Sequence, residues 1–374
     1  FMRPVNKGDR GNDYPYDLDT DLKTVKPFTF QKQAIVNLVG TNPTLEQVLV
    51  DIWLRMVKLN PKKRSRDYDD LNAALPRVKE VIGDTYKQAS VPLTTRLGAF
   101  CSFCESPVTG LLEVEHIAPK AEYPTYSVIW ENFLLACSAC NTAKSNIPSR
   151  STVRAWLGNN APTERQYYDE ITKRHYIWPD KDTNAYSGFS VDLYYQSQPS
   201  NQWKKLLEQN SVDFENIHLG TDINHRTVRA KIIIRQKKYL TRNVEVRLSA
   251  NNNNKYAKEM IELCKLNYLG NTGSTYDRRV VNRTEAWFKA LKILKSLSEP
   301  SIVGNQTAFD TVWLGILTSA ASVGFYSVWI TILQRLDWSD PSGNALLGRF
   351  INETNTSNFF PGTDTANVPQ WSDL

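Results

Sequence analysis

Four of the five cysteines in this 374-residue chain stand in two matching hooks, Cys101-x2-Cys104 and Cys137-x2-Cys140, separated by 32 residues. A C-x2-C turn sets two thiolates on one side of a metal ion, and two such turns complete the tetrahedral sulfur shell that zinc favours. In a reducing cytoplasm, paired hooks of this kind indicate metal and not disulfides. Four thiolates close the coordination sphere, so this zinc is expected to be structural, with no open position at which to activate water. The interval between the hooks exceeds what a simple zinc ribbon needs, so the interval is expected to carry chemistry. The fifth cysteine, Cys264 within IELCKL, reads as a buried core residue.

Within and just after the interval, Glu115-His116 ends an apolar, strand-like run (LLEVEHI), Asn132 precedes a second apolar run (NFLLAC), and Asn141 follows the last cysteine directly. The order and spacing His116-x15-Asn132-x8-Asn141 resembles the His-Asn-His (HNH, or ββα-metal) nuclease pattern. Asn in the third place is familiar in the zinc-stapled branch, which is similar to the phage junction-resolving endonucleases. The resemblance implies a two-stranded hairpin crossed by a helix. It implies that Glu115 and Asn141 offer hard oxygen ligands to Mg²⁺ or Mn²⁺, a choice that suits an ion which keeps several waters and also binds a substrate phosphate. His116, with an ordinary pKa near neutrality, is then the general base that deprotonates the attacking water. Asn132 completes the catalytic pair as a brace for the loop that orients His116. Lys144, one helical turn past Asn141, and more weakly Lys120, are the expected phosphate contacts. Many relatives carry Asp where this chain has Glu115, whose extra methylene moves the carboxylate outward.

Further pieces extend the likeness: MRPVNKG at the start, CSFCE, VEHIAPK, WENFLLACSACN, WPDKDTNAY, DRRVVNRTEAW and GFYSVWI. Together they resemble bacterial HNH endonucleases similar to the nuclease subunits of retron and Septu-type antiphage systems, which stand beside an ATPase. That likeness implies a DNA substrate, a role in antiphage defence and an AAA- or ABC-type ATPase partner.

The remainder of the chain frames this unit. Its length suggests roughly two or three domains. Hydrophobic residues at 41% and ten Trp exclude a disordered chain, because there is ample apolar surface to offset ordering entropy. The expected class is α+β: a zinc-stapled ββα-metal core embedded in a mainly helical chain. The expected divisions are an N-terminal arm and helical region over 2–95, the nuclease core over 96–150, and a mainly helical region over 151–374 that binds DNA or a partner. Helical periodicity runs through FQKQAIVNLV and LEQVLVDIWLRMVKL, the latter opened by a Thr44–Gln47 capping box, and resumes from residue 202. Residues 163–195 read as a small mixed segment, with HYIWPDKDTNAYSGFSVDLYY suggesting short strands and turns. Phe1 reads as a cloning remnant ahead of Met2, no secretory signal follows, and a cytoplasmic protein is expected. The 24 uncharged residues between Asp310 and Arg335 include several Ser and Thr, and read as two buried helices broken near Gly324 and not as a membrane span.

Charge is distributed unevenly. The chain carries a net +6, yet residues 101–150 set Lys120, Lys144 and Arg150 against five glutamates. The catalytic unit is thus poorly equipped to attract a polyanion by itself. Between 226 and 247, eight Lys and Arg face only Glu245. A helix there would present a basic stripe, with Arg235, Lys237 and Lys238 as nucleic-acid contacts. Arg278, Arg279 and Arg283 form a second cluster, read equally as DNA contacts or as structural groups paired with Asp277 or Glu285. His175, His218 and His225 lack ligand spacing. Two other functions compete: a zinc-dependent nucleic-acid-binding or adaptor subunit without catalysis, and an RNase-type toxin.

Overall fold

Alternating residues in Glu113-Val114-Glu115-His116 form the first strand, β1 (Glu113–His116), which pairs antiparallel with β2 (Phe133–Ala136). The register sets Glu113 opposite Ala136 and His116 opposite Phe133. The computed structural model describes residues 2–8, 86–108, 110, 112–123, 126–127, 129–158, 162–182, 185–196, 203–205, 244–268, 277–336 and 338–365. Helix α1 (Ser90–Leu97) precedes the hairpin and packs on β2, and α2 (Ser138–Lys144) follows it and packs across both strands. Two polar-capped helices come next: α3 (Arg150–Leu157), capped by Ser149, and α4 (Glu164–Lys173), opened by a Thr163–Gln166 capping box. The expected helices within 28–85, with the Thr44–Gln47 box, lie outside the described residues, as do residues 226–243 of the basic stretch and its Arg235, Lys237 and Lys238.

Residues 203–205 and 244–250 depart from the helical expectation, whereas the described residues from 255 onward are mostly helical. Strands β3 (Phe189–Gln196), β4 (Trp203–Lys205) and β5 (Val244–Ala250) form an antiparallel sheet in the order β4-β3-β5. Val244, Val246 and Leu248 alternate with polar residues, the period-two pattern of a strand buried on one face. Arg247, counted within the basic stripe, therefore sits on a strand, with its Nε 2.8 Å from the Glu245 carboxylate. Helices α5 (Lys255–Leu263) and α6 (Arg279–Leu294) pack against β5.

The uncharged stretch forms two helices, α7 (Gln306–Val323) and α8 (Tyr326–Leu336), separated at Gly324 as expected, and α9 (Leu346–Thr356) packs on α8. Among the described residues, no helix is long and apolar enough to cross a membrane. Cys264 is buried in the core, as expected.

Three long-range ties join these parts. Residues 2–8 run between the body and the far C-terminal segment: Val5 bridges Thr363, Asn6 N–H donates to Gly362 O (2.8 Å), and Val5 N–H to Pro179 O (2.9 Å). Lys7 reaches the carbonyl of Phe133 on β2 (2.6 Å) and pairs with Asp180 (2.7 Å). Glu105, beside the first hook, takes hydrogen bonds from Ser327 N–H (2.9 Å) and Oγ–H (2.7 Å), capping the start of α8. Its carbonyl accepts from Phe325 N–H (2.9 Å).

Gly324 makes that last junction possible. Its φ is +72°, and a Cβ there would lie 2.6 Å from Pro107 Cδ and 2.7 Å from Glu105 O. Gly324→Ala adds a left-handed backbone penalty to a backbone clash. It is expected to lower unfolding free energy by about 2 kcal/mol or more, read as a fall in the urea midpoint at unchanged slope.

Candidate active site

The two hooks meet in one place. Cys101 and Cys104 lie in a tight turn after α1, closed by Cys101 N–H to Ser106 O (3.0 Å) and Glu105 N–H to Cys101 O (2.9 Å). Cys137 is the N-cap of α2 and Cys140 lies in its first turn. The four Sγ atoms all fall within 4.8 Å of one another. Cys104 and Cys137 are 3.7 Å apart, well beyond a disulfide bond of about 2.05 Å. That separation is close to the edge of a tetrahedron built on zinc–sulfur bonds of about 2.3 Å. Burial pushes the Cys101 and Cys140 thiols up, whereas hydrogen bonds from Cys101, Cys104 and Cys140 pull Cys137 far down. Four sulfurs this close can all ionise only around a cation, so the donor set fits zinc.

The hairpin presents its acids on one side. Glu113 and Glu115 are two residues apart on β1 and so share a face. Both line a cavity of about 440 Å³, together with His116, Asn141, Lys120 and Tyr86. Glu115 and Asn141 thus border one cavity, as the resemblance implied, but their immediate partners differ from the expectation. The Asn141 amide donates to the Glu113 carboxylate. Glu115 is ion-paired with Lys144 at 2.7 Å. Burial raises the Glu115 carboxyl, with Lys144 pulling against it. Two carboxylates and a carboxamide form an oxygen donor set compatible with a hard divalent ion such as Mg²⁺.

Lys144 is not a phosphate contact. It is fully buried, and its ammonium is held by Glu115 and by the carbonyl of His116 (2.6 Å). Because α2 packs flat on the hairpin, the residue one turn beyond Asn141 points under the strand and not into solvent. Lys120 remains exposed at the cavity rim, 2.7 Å from Tyr86 Oη, with its ammonium 4.0 Å from the Tyr86 ring centre.

His116 is fixed in position and tautomer. Its ring lies edge-on between Tyr86 (4.8 Å) and Phe133 (5.2 Å). Nε2 is 2.9 Å from the Ser127 carbonyl. A carbonyl only accepts, so Nε2 carries the proton and Nδ1 is left as the acceptor. Burial pushes the imidazole down to about 3, opposed by the Ser127 bond and reinforced by the charges of Lys120 and Lys144. The ring is therefore neutral at physiological pH, further from its own titration than an ordinary histidine. Asn132 is fully buried and holds the loop that supplies Ser127. Its Oδ1 accepts from Ala118 N–H (2.7 Å), and its Nδ2 donates to Ala118 O (3.0 Å) and Tyr126 O (2.9 Å).

A hairpin, a crossing helix, a cluster of four thiols and an imidazole bordering a carboxylate-lined cavity fit an HNH-type unit. In agreement, the family model for HNH endonuclease matches residues 101–146. No curated protein and no solved structure matches the chain.

The sequence reading overlooked two residues. Glu113 was legible, since strand alternation places it beside Glu115. Tyr86 was not, because nothing in its local pattern announces a neighbour 30 positions further along. The other resemblance pieces gather around the unit: Lys7 of MRPVNKG and Asp180 of WPDKDTNAY meet beside β2, and Ser327 of GFYSVWI meets Glu105 of CSFCE. Of the second arginine cluster, Arg279 is buried and paired with Asp277 (2.6 Å), and Arg283 is buried against the carbonyls of Leu266 (3.2 Å) and Val246 (3.5 Å). Arg278 is exposed, 4.0 Å from Glu285. For Arg279 and Arg283 the structural reading holds.

Lys144→Met leaves the Glu115 carboxylate buried without its partner. The expected loss is about 3–5 kcal/mol of unfolding free energy, against no more than about 0.5 kcal/mol for Lys120→Met at the exposed rim. Chemical denaturation of both variants measures the difference.

Proposed function

We propose that this chain is a metal-dependent HNH endonuclease that hydrolyses DNA phosphodiester bonds, acting in the bacterial cytoplasm in antiphage defence beside an ATPase partner. The observation that carries the nuclease reading is His116. An imidazole whose Nε2 proton is held on a backbone carbonyl, leaving Nδ1 unprotonated, borders one cavity with Glu113, Glu115 and Asn141. That is the arrangement a general base requires. The defence role and the ATPase rest on the resemblance of the flanking pieces alone.

In the proposed reaction, Nδ1 of His116 accepts a proton from a water that attacks the scissile phosphorus, and the P–O3′ bond breaks. Glu115 and Asn141 would hold Mg²⁺ or Mn²⁺, which when bound neutralises charge on the phosphate and on the departing oxygen. Asn132 keeps the Ser127 carbonyl in place and so keeps the tautomer. Lys120 meets the phosphate chain at the rim. The four cysteines hold one structural zinc that takes no part in the chemistry. The division into an N-terminal region to residue 95, a core to 150 and a C-terminal region beyond serves this scheme, with Arg235, Lys237 and Lys238 supplying affinity for DNA.

One observation favours the adaptor reading: Glu115, the expected metal ligand, is already neutralised by Lys144. A supercoiled-plasmid assay with Mg²⁺ or Mn²⁺, with and without EDTA, separates the two. Wild type is expected to nick or cut, and EDTA to stop it. His116→Ala is expected to lose about 10²–10⁴-fold in rate, with folding and DNA binding retained. Cleavage by His116→Ala at the wild-type rate would sink the assignment, and RNA cut in preference to DNA would favour the toxin reading.

Replacing Arg235, Lys237 and Lys238 with neutral residues is expected to weaken DNA binding and flatten its salt dependence, because fewer counterions are released. Titrations at several salt concentrations measure both. An unchanged slope returns that segment to a solvated face.

A further inference from the structure

A zinc ion bound by four thiolates carries a net double negative charge. Here three of the four sulfurs are buried. A buried charge needs a nearby counter-charge and hydrogen bonds. Two side chains outside the four cysteines reach the sulfurs. Ser106 Oγ lies 3.1 Å from Cys104 Sγ, and Arg279 Nη1 lies 2.9 Å from Cys140 Sγ. The serine belongs to the first hook. The arginine comes from 139 positions further along the chain, in the first turn of α6.

Every donor of that guanidinium is used. Nη1 also donates to Cys264 O (2.7 Å), Nη2 to Lys265 O (3.2 Å) and Asp277 Oδ2 (2.6 Å), and Nε is shared by both oxygens of Asp277 (3.0 Å). Five N–H groups in a rigid fork are satisfied at once. The carbonyls of Cys264 and Lys265 are the terminus of α5, where Lys265 turns left-handed (φ +48°) and Leu266 N–H closes back on Ile261 O (2.9 Å). One turn along α6, Arg283 is fully buried with Cys104, Glu105 and Cys140 among its electrostatic neighbours. Burial works against the Arg279 charge, but Asp277 and the thiols of Cys140 and Cys104 outweigh it and hold the group above its ordinary range.

We infer that Arg279 is an outer-sphere member of the zinc site: its guanidinium is the counter-charge of the Cys140 thiolate, and through it zinc occupancy is coupled to the seating of α6 and the end of α5 on the nuclease unit. The inference rests on the reading that the four-cysteine centre holds zinc. It gives DRRVVNR a role other than contact with DNA. A lysine at 279 would keep a charge but lose the fork, so charge alone does not restore the site.

The test uses the full-length, zinc-loaded chain. Zinc is counted by elemental analysis, and its release to a chromogenic chelator is timed for wild type, Arg279→Lys and Arg279→Met. Loss of an outer-sphere hydrogen bond is expected to speed release about 10- to 100-fold in both variants. Cobalt-substituted protein supplies a readout that a merely structural arginine would not move. The sulfur-to-cobalt absorption band is expected to shift in the folded variants, because one thiolate has lost a charged donor. Release at the wild-type rate with an unmoved band, in variants that carry zinc, overturns the role of Arg279 and leaves the zinc reading intact. A well-folded wild type without zinc overturns both. Should neither variant fold, hydrogen exchange on the wild type decides. After chelation, protection over 277–283 is expected to fall together with that over 101–104 and 137–140. Unchanged protection of α6 while the hooks open overturns the coupling.

Discussion

Convergence of four thiols onto one point is the constraint around which the rest is arranged. Two sulfurs arrive from the turn after α1 and two from the start of α2, all within 4.8 Å. The 32 residues between the hooks must therefore leave and return to the same place. The path they take is the β1–β2 hairpin, whose loop buries Tyr123, Tyr126 and Asn132, and α2 is launched directly from the second hook. A unit this small has little core of its own, so a metal held by the four thiols would contribute directly to its folding.

The second organising feature is that charges inside this fold are matched within the chain. Lys144 lies under the hairpin against Glu115, Lys7 beside β2 against Asp180, and Arg279 between Asp277 and a thiol. Each pairing fixes geometry as well as charge, because removing one member strands the other in a low-dielectric interior. Two of the three cations also bond a backbone carbonyl of the hairpin: His116 for Lys144 and Phe133 for Lys7. The strand that carries the imidazole and the strand opposite it are thus each gripped by a lysine. This explains how a hairpin of four residues per strand can hold a side chain in one tautomer and one direction.

Much of the site could be read from residues near one another in sequence. The hooks, the strand-like run ending at His116, the bracing amide of Asn132 and the helix break at Gly324 are local signals, and the geometry agrees with each. Where the reading departed, tertiary packing had decided the matter. Lys144 looked like a surface cation because spacing along a helix does not reveal which face meets the hairpin. The VEVRLSA run was absorbed into a helical pattern, although its own alternation is that of a strand, which the pairing with β3 makes real. Asn141 was matched to the nearer motif carboxylate, Glu115, whereas its amide is taken by Glu113. The pairing of Arg279 with Asp277 is legible in sequence, but its contact with Cys140 is not, since that neighbour lies 139 residues away.

The N-terminal segment carries a consequence for how the protein is made. Residues 2–8, the hooks and the hairpin are all synthesised well before residues 362–364. Thiols and strands can meet at that stage. The backbone of Val5 and Asn6, however, finds its partners at Thr363 and Gly362, and Asp364 N–H closes on Pro4 O (3.0 Å). Contacts of such sequence separation form late, because loop closure must come before any gain. The segment that steadies β2 through Lys7 must therefore stay unsatisfied, or be shielded by other factors, until residues 362–364 have been made. The hairpin unit would thus reach its final packing only after residues 362–364 have been made.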